Sequence, residues 1–323
     1  MDKCSVTEIK RRHVDVNGIR MHIAEAGEGP LVLLLHGFPE TSHSWRHQLV
    51  ALAAAGYHAV APDQRGYPNT ECPESVDQYT ILHLVGDVVG LVRVLGAEDA
   101  VVVGHDWGAL VAWGVAYARP DLLRGIVSMG DPFQPRIDFN PLDGLRTAFG
   151  DKFFQIYFQE PGVAEGEFER ETADVFRKLS YWYSGDAPKV QNLIADENGM
   201  TGSLPVPDEL PAWISEEDLA IWAGAFAAEG FTGALNWYRN ITRNWELTAP
   251  WAGARITTPA MYLGGDRDPV VNWFDPDMLE TVMTAAVANL VSFSLIEGAG
   301  HWLQQERPDE VNAALIGFAA YLD

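Results

Sequence analysis

The chain has 323 residues, of which 47% are hydrophobic and 21% are charged. These fractions are typical of a globular protein and exclude a wholly disordered chain. Twenty-two basic and 45 acidic residues give a formal net charge of −23, so the surface repels nucleic acid and anionic membranes. We therefore expect neither a nucleic-acid partner nor a membrane partner.

The cysteine content and the N-terminal sequence predict a cytoplasmic protein. Cys4 and Cys72 are the only cysteines, which excludes a disulfide framework, and no Cys/His spacing of the metal-site type occurs. The first residues are charged and lack the apolar stretch of a signal peptide. No uncharged apolar run reaches the ~18 residues of a membrane helix. No motif requires a metal or another cofactor.

The first 130 residues alternate between strand and helix patterns. Asn17-Gly18 between two alternating segments predicts a tight hairpin, and the apolar run Leu31–Leu35 predicts a strand buried on both faces. The pattern continues with a helix over 42–55, a strand over 58–61, a helix over 79–95, a strand over 101–103, a helix over 107–118 and a strand over 126–129. This alternation predicts an α/β fold, with a mostly parallel sheet flanked by helices.

The alternation stops between residues 131 and 251. This stretch reads as helices and loops, and it is too long for a structureless connection. Strand patterns return at 260–263 and 291–296. We therefore expect one core domain, made of residues 1–136 and 251–323. A helical lid, or cap, of residues 137–250 would be inserted over the strand ends where ligands bind.

The sequence Gly-His-Asp-Trp-Gly at residues 104–108 follows a predicted strand and precedes a predicted helix. Gly-x-nucleophile-x-Gly at such a turn is typical of a nucleophile held in a strained conformation between small neighbours. The central residue is Asp106, where Ser is usual; a structural Asp that caps the next helix is the alternative. Attack by Asp on saturated carbon forms an ordinary ester, whereas attack on a carbonyl forms a reactive anhydride. The motif therefore favours epoxides or alkyl halides as substrates.

Two polar residues after the last predicted strands complete a candidate triad. His301 lies in a Gly-rich loop after the strand that ends near residue 296, and Asp268 follows the strand at 260–263. The order nucleophile, acid, His is that of α/β-hydrolases. We predict that His301 is a general base toward water and that Asp268 orients its imidazole, with Asp266 as the competing acid. A structural role for these loop residues is the alternative.

The sequence His-Gly-Phe-Pro at residues 36–39 follows the buried strand Leu31–Leu35. The backbone N–H groups of Phe38 and Trp107 are predicted to form an oxyanion hole for the carboxyl group of Asp106 during ester hydrolysis. A tight turn without a catalytic role would explain the same residues.

Together these motifs resemble the soluble epoxide hydrolases of the α/β-hydrolase superfamily over nearly the whole chain. The segments at 36–39, 104–108, 157–162, 236–240 and 300–302 carry the resemblance. It implies an α/β-hydrolase fold with an inserted cap, and hydrolysis of a small apolar epoxide by water to a vicinal diol. It also implies two lid tyrosines, mapped onto Tyr157 and Tyr238, that hydrogen-bond the epoxide oxygen. Ordinary core packing is the alternative for both tyrosines.

Other readings of the same motifs stay open. A haloalkane dehalogenase would use the same nucleophile, but Phe38 stands where those enzymes tend to have Asn, and Trp107 stands where fluoroacetate dehalogenases have Arg. A non-catalytic ligand receptor on the same fold is a third reading, and a homodimer is an open expectation. The residues expected to contact substrate are Pro39, Trp182, Trp237 and Trp302.

Overall fold

A computed structural model of the chain describes residues 8–189, 193–273 and 275–323. Cys4 and the N-terminal segment analysed for a signal peptide lie outside the described residues. The strands are β1 (Lys10–Val16), β2 (Ile19–Ala26), β3 (Leu31–Leu35), β4 (His58–Pro62), β5 (Ala100–His105), β6 (Leu123–Met129), β7 (Ala260–Gly265) and β8 (Leu290–Ile296).

The helices of the core are α1 (Arg46–Ala54), α2 (Ile81–Val94), α3 (Trp107–Ala118), α11 (Pro276–Ala286), α12 (Leu303–Glu306) and α13 (Pro308–Leu322). Between β6 and β7 lie α4 (Pro141–Phe149), α5 (Phe154–Tyr157), α6 (Val163–Phe168), α7 (Thr172–Trp182), α8 (Glu216–Glu229), α9 (Thr232–Arg239) and α10 (Ile241–Leu247). None of the described helices is long and apolar enough to cross a membrane.

All eight strands form one sheet in the order β1-β2-β4-β3-β5-β6-β7-β8. The hairpin of β1 and β2 turns at Asn17 and Gly18, which have φ angles of 48° and 81°. Strand β2 pairs antiparallel with β4, and every pairing from β4 to β8 is parallel. The predicted α/β fold with a mostly parallel sheet is therefore confirmed.

Helices cover both faces of this sheet. Because successive side chains of a strand point to opposite faces, Leu33 and Leu35 of β3 join one core with α2 and α3. Val32 and Leu34 join a second core with α1 and α13. Every residue of β3 is consequently buried, as its unbroken apolar sequence predicts.

The inserted helices α4–α10 form the cap. Isolated bridges such as Phe153–Ile194 are the only β-pairing that the structure describes within residues 141–247. Aromatic side chains build much of the cap interior: Phe158, Phe168, Phe226 and Phe231 are all buried. Contacts to the core include a 2.7 Å hydrogen bond between His43 and Asp218. The division at residues 136/137 and 250/251 stays a proposal.

Candidate active site

Asp106 stands at the turn between β5 and α3 with φ 52° and ψ −123°. A non-glycine residue in this region of positive φ is strained, and such strain is typical of a nucleophile turn. The backbone packs so closely around this turn that only glycine fits two positions before and two positions after Asp106. A Cβ at Gly104 would lie 2.1 Å from the Gly108 carbonyl oxygen, and one at Gly108 would lie 2.1 Å from the Leu35 carbonyl oxygen. The Asp106 side chain makes no capping hydrogen bond to α3, so its carboxylate is available for chemistry.

Two backbone N–H groups face the Asp106 carboxylate. That of Phe38 donates to Oδ1 at 2.6 Å, and that of Trp107 lies close enough to lower the pKa of the carboxyl group. Burial raises the pKa of Asp106, while the charges of His301 and His105 and these two N–H groups oppose that rise. The two donors predicted from sequence thus meet at one carboxylate.

The imidazole of His301 lies between two carboxylates. Its Nδ1 is 3.1 Å from both oxygens of Asp268, and its Nε2 is 3.9 Å from Oδ2 of Asp106. Asp268 is fully buried, whereas Asp266 accepts a 2.8 Å hydrogen bond from the Gly298 N–H at the exposed side of the loop. Asp268, and not Asp266, is therefore the partner of the imidazole.

The negative charges around His301 raise its pKa by more than burial lowers it. Burial alone would lower the pKa of this imidazole, but the charge and hydrogen bond of Asp268, with smaller contributions from Asp106 and Asp131, raise it to about 10. Asp131 is the second residue after β6, so it stands at the same sheet edge. Burial and the Asp106 carboxylate raise the pKa of Asp131 to about 8. The sequence analysis missed this carboxyl group, although its position after a strand was a usable signal.

A buried hydrogen-bond network lies beneath the three catalytic loops. Nδ1 of His105 is 2.7 Å from Oε2 of Glu40, and its Nε2 is 2.7 Å from the His301 carbonyl oxygen. Because both partners are acceptors, both ring nitrogens of His105 carry hydrogen. Gln304 and Gln305 donate to the other Glu40 oxygen at 3.0 and 3.1 Å. Although burial opposes it, the charge of His105 lowers the pKa of Glu40 to about 2.

An apolar cavity with about 60 Å³ of room for water-sized molecules adjoins Asp106 and His301. Of the residues predicted to contact the epoxide, Pro39, Tyr238 and Trp302 line it. Aromatic rings make up much of the remaining wall: Phe38, Phe154, Phe158, Phe168 and Tyr183. The sequence analysis missed Phe154 and Tyr183 as cavity residues, and only the aromatic composition of the cap pointed to them.

Tyr238 of α9 lies against the nucleophile loop. Its ring meets that of Trp107 edge-on at 5.1 Å and that of Phe38 at 5.5 Å. Burial and the nearby Asp106 carboxylate raise the pKa of Tyr238 well above its ordinary value. The phenol therefore stays protonated and can donate a hydrogen bond to an oxygen above Asp106.

Tyr157, the other predicted lid tyrosine, is not among the described residues of the cavity wall. It is the last residue of the one-turn helix α5, and its hydroxyl donates to Oε2 of Glu167 at 2.8 Å. The same carboxylate accepts from the backbone N–H groups of Met200 and Thr201 at 2.9 and 2.6 Å. Tyr157 is thus tied into the structure of the cap.

Two predicted tryptophans also lie outside the described cavity wall. The indole N–H of Trp182 donates to the Pro205 carbonyl at 2.8 Å near the surface of the cap. Trp237 is fully buried, and its N–H donates to the Arg65 carbonyl of the core at 2.9 Å. Trp237 therefore joins cap to core rather than contacting the cavity.

Comparisons with known proteins agree with this geometry. Residues 30–308 match the family model of the alpha/beta hydrolase fold. Epoxide hydrolase A of Mycobacterium tuberculosis (strain ATCC 25618 / H37Rv) is 45% identical, over 97% of this chain and 98% of the relative. The crystal structure of epoxide hydrolase A from Mycobacterium thermoresistibile superposes with a TM-score of 0.90 at 44% identity, covering 97% of this chain and 98% of that one.

A plant structure is equally similar. An epoxide hydrolase from Vigna radiata matches with a TM-score of 0.93 at 41% identity, over 99% of this chain and 100% of its own. Together with the strained Asp106 between backbone donors and the buried His301–Asp268 pair, these similarities define the family. The chain belongs to the epoxide hydrolases of the α/β-hydrolase fold.

Proposed function

We propose that this protein hydrolyses a small apolar epoxide to a vicinal diol through a covalent ester on Asp106. The observation that carries the proposal is one carboxylate held between a backbone donor and an imidazole at the floor of an apolar cavity. Phe38 N–H lies 2.6 Å from this carboxylate and His301 Nε2 lies 3.9 Å from it.

In the first step, a carboxylate oxygen of Asp106 attacks an epoxide ring carbon. The C–O bond of the ring breaks, and its electron pair goes to the ring oxygen. The Tyr238 phenol donates its proton, or a strong hydrogen bond, to that oxygen. The product is an alkyl ester of Asp106 that carries a neighbouring hydroxyl group.

In the second step, water hydrolyses the ester. His301 takes one proton from the water, and the oxygen attacks the carbonyl carbon of Asp106. The N–H groups of Phe38 and Trp107 stabilise the oxyanion on that group. The alkyl oxygen leaves with the proton from His301. The second proton of the water restores the Tyr238 phenol through solvent, and Asp106 keeps one oxygen from water.

Ester formation itself prepares His301 to act as a base. In the free enzyme the negative charges of Asp268 and Asp106 hold the His301 pKa at about 10, so the imidazole is protonated at neutral pH. The ester removes the Asp106 charge that lies 3.9 Å from Nε2. The pKa of His301 then falls, which favours the neutral imidazole that hydrolysis requires, while Asp268 still holds the ring in place.

The test is intact-mass measurement of the His301→Gln variant after incubation with styrene oxide. Because hydrolysis needs His301 and alkylation does not, we expect accumulation of a species heavier by the mass of one epoxide. Asp106→Asn is the matched control and should stay unlabelled. A folded His301→Gln variant that binds the epoxide yet neither turns over nor gains mass would contradict the mechanism. Halide release from chloroalkanes without diol formation from epoxides would favour the dehalogenase reading.

The setting of the enzyme is also a proposal. Two cysteines and an acidic composition fit a cytoplasmic protein that acts on an uncharged epoxide and water. A homodimer is the oligomeric state that we put forward for testing by light scattering during size-exclusion chromatography.

A further inference from the structure

Two cap tyrosines, Tyr183 and Tyr238, line the cavity beside Asp106, and a third, Tyr157, belongs to the same cap. The Tyr157 hydroxyl donates to Glu167. Tyr183 lines the cavity, and burial together with the charge of the same Glu167 carboxylate raises its pKa. The ring of Tyr238 instead packs edge-on against Trp107, the residue after Asp106, at 5.1 Å, and the Asp106 charge raises its pKa. Tyr157 and Tyr183 therefore share the electrostatic influence of Glu167, whereas Tyr238 lies against the nucleophile loop.

Phe154 occupies the wall beside Tyr238. It begins α5 and lines the cavity, and its ring centroid lies 5.8 Å from that of Tyr238 at an interplanar angle of 76°. Its other ring contacts include Phe158 at 5.6 Å. A phenyl ring at this place supplies contact area but no hydrogen-bond donor.

We propose that Tyr238 is the one phenol of the described site that hydrogen-bonds the epoxide oxygen, and that Phe154 occupies the position from which a second phenol could act. This inference rests on the proposed epoxide hydrolysis and goes further, because it assigns Phe154 as the residue that limits acid assistance. A hydroxyl added to Phe154 would give the developing alkoxide a second donor and lower the barrier to ring opening.

The proposal also names the substrate class. With one donor instead of two, the epoxide oxygen is less stabilised as its C–O bond breaks. The epoxide carbon that is attacked must therefore carry more positive charge. Aryl-substituted epoxides spread this charge into the aryl ring, and Phe38, Phe158 and Trp302 supply aromatic walls for that ring to pack against. Styrene oxide should therefore be opened faster than an alkyl epoxide of similar size.

The experiment measures the single-turnover rate of Asp106 alkylation by rapid-quench mass spectrometry, with styrene oxide and 1,2-epoxyoctane as probes. Tyr238→Phe should slow alkylation about a hundredfold or more. Phe154→Tyr should speed it about tenfold, and should restore about tenfold of the rate lost in Tyr238→Phe when the two are combined. The gain should be larger for the alkyl epoxide, so the preference for styrene oxide should shrink.

Two further variants make the test specific. Phe168→Tyr places a hydroxyl on a ring of the same wall that packs against Phe38, Phe158 and Phe231, and it should not restore alkylation in Tyr238→Phe. Tyr157→Phe should change alkylation less than about twofold, because its hydroxyl only joins parts of the cap. The inference is overturned if Tyr157→Phe loses as much rate as Tyr238→Phe, or if a folded double variant shows no restoration. The Tyr157 and Tyr238 comparison holds even if Phe154→Tyr does not fold.

These outcomes separate the two proposals. If the wild-type protein forms neither a diol nor an alkyl-enzyme from any epoxide tested, the proposed function itself fails. If the wild type forms both, but the Phe154 and Tyr238 variants do not behave as stated, only the single-donor inference fails.

Discussion

At the scale of single residues, the ionisation states of Asp106 and Tyr238 determine when ring opening can occur. Asp106 must be a carboxylate to attack, and burial raises its pKa above the ordinary 3.8. Tyr238 must be a phenol to donate, and its pKa lies well above the ordinary 10.0. The two requirements are met together over a wide pH range.

The alkylation rate should therefore fall only on the acid side. As the pH drops toward the raised pKa of Asp106, protonation removes the nucleophile and the rate falls. Between about pH 7 and about pH 9.5 the rate should stay constant, because Tyr238 keeps its proton. Single-turnover kinetics across this range is the measurement. Asp131, whose pKa is about 8, titrates inside this range, so the same measurement is made on Asp131→Asn. A rate that falls between neutral and mildly alkaline pH in both proteins would mean that the donor ionises there and is not Tyr238.

The nucleophile and its partners were predictable from sequence because each one follows a strand. Asp106, Asp268 and His301 lie in the loops that follow three parallel strands at one edge of the sheet, so the fold itself brings them together. The cap residues were harder to predict. Tyr157 and Phe154 lie three positions apart on one helical turn, and only the packing around Glu167 decides which of them faces the cavity.

At the scale of elements, one buried ion pair links the three loops of the site. Glu40 belongs to the loop after β3 and His105 ends β5, while the carbonyl of His301 in the loop after β8 accepts the second His105 N–H. The loops are thus joined beneath the reacting groups. The sequence contains Glu40 directly after the His-Gly-Phe-Pro motif, but nothing in that spacing shows that its side chain turns inward.

Glu40→Gln should lower the free energy of unfolding by about 3 kcal/mol at neutral pH, because it leaves the His105 charge buried without its partner. The folded-state pKa of Glu40 is about 2, below the ordinary 4.5. Its contribution is therefore full above about pH 4.5 and is lost as the pH falls through about 2. Urea unfolding at several pH values should show a smaller acid-side loss in the variant than in the wild type.

Glu246→Gln is the matched control for this comparison. Glu246 pairs with Arg243, and their side chains are 50% and 57% exposed, so the change should cost less than about 1 kcal/mol. Equal losses in the two variants would contradict a special role for the buried pair.

At the scale of the whole molecule, the α/β core and the cap contribute different parts of the active site. The core fixes Asp106, His301 and Asp268, and the cap supplies Tyr238 and the apolar wall. The alternating strand and helix patterns predicted the core well, since central strands such as β3 are unbroken apolar runs. The arrangement of the cap helices follows from packing among many aromatic side chains, which periodicity does not encode.

The net charge of −23 predicts that added salt raises the stability of the protein but leaves its activity on an uncharged epoxide nearly unchanged. Like charges repel in the compact state, and salt screens them over a Debye length of about 10 Å at 0.1 M. Raising NaCl from about 0.02 M to about 0.3 M should raise Tm, while kcat/KM for an uncharged epoxide should change less than about twofold. An epoxide of similar size that carries a carboxylate is the control, and its KM should fall as salt rises. A Tm that falls with added salt would contradict this account.

The most direct test of the central claim is a single turnover in ¹⁸O-water with excess enzyme over styrene oxide, followed by mass spectrometry of the peptide that contains Asp106. The ester mechanism predicts that the label enters the Asp106 carboxylate and that the diol formed in this first turnover carries none. Label in the diol and none in Asp106 would mean that water attacks the epoxide directly, and Asp106 would then not be the nucleophile.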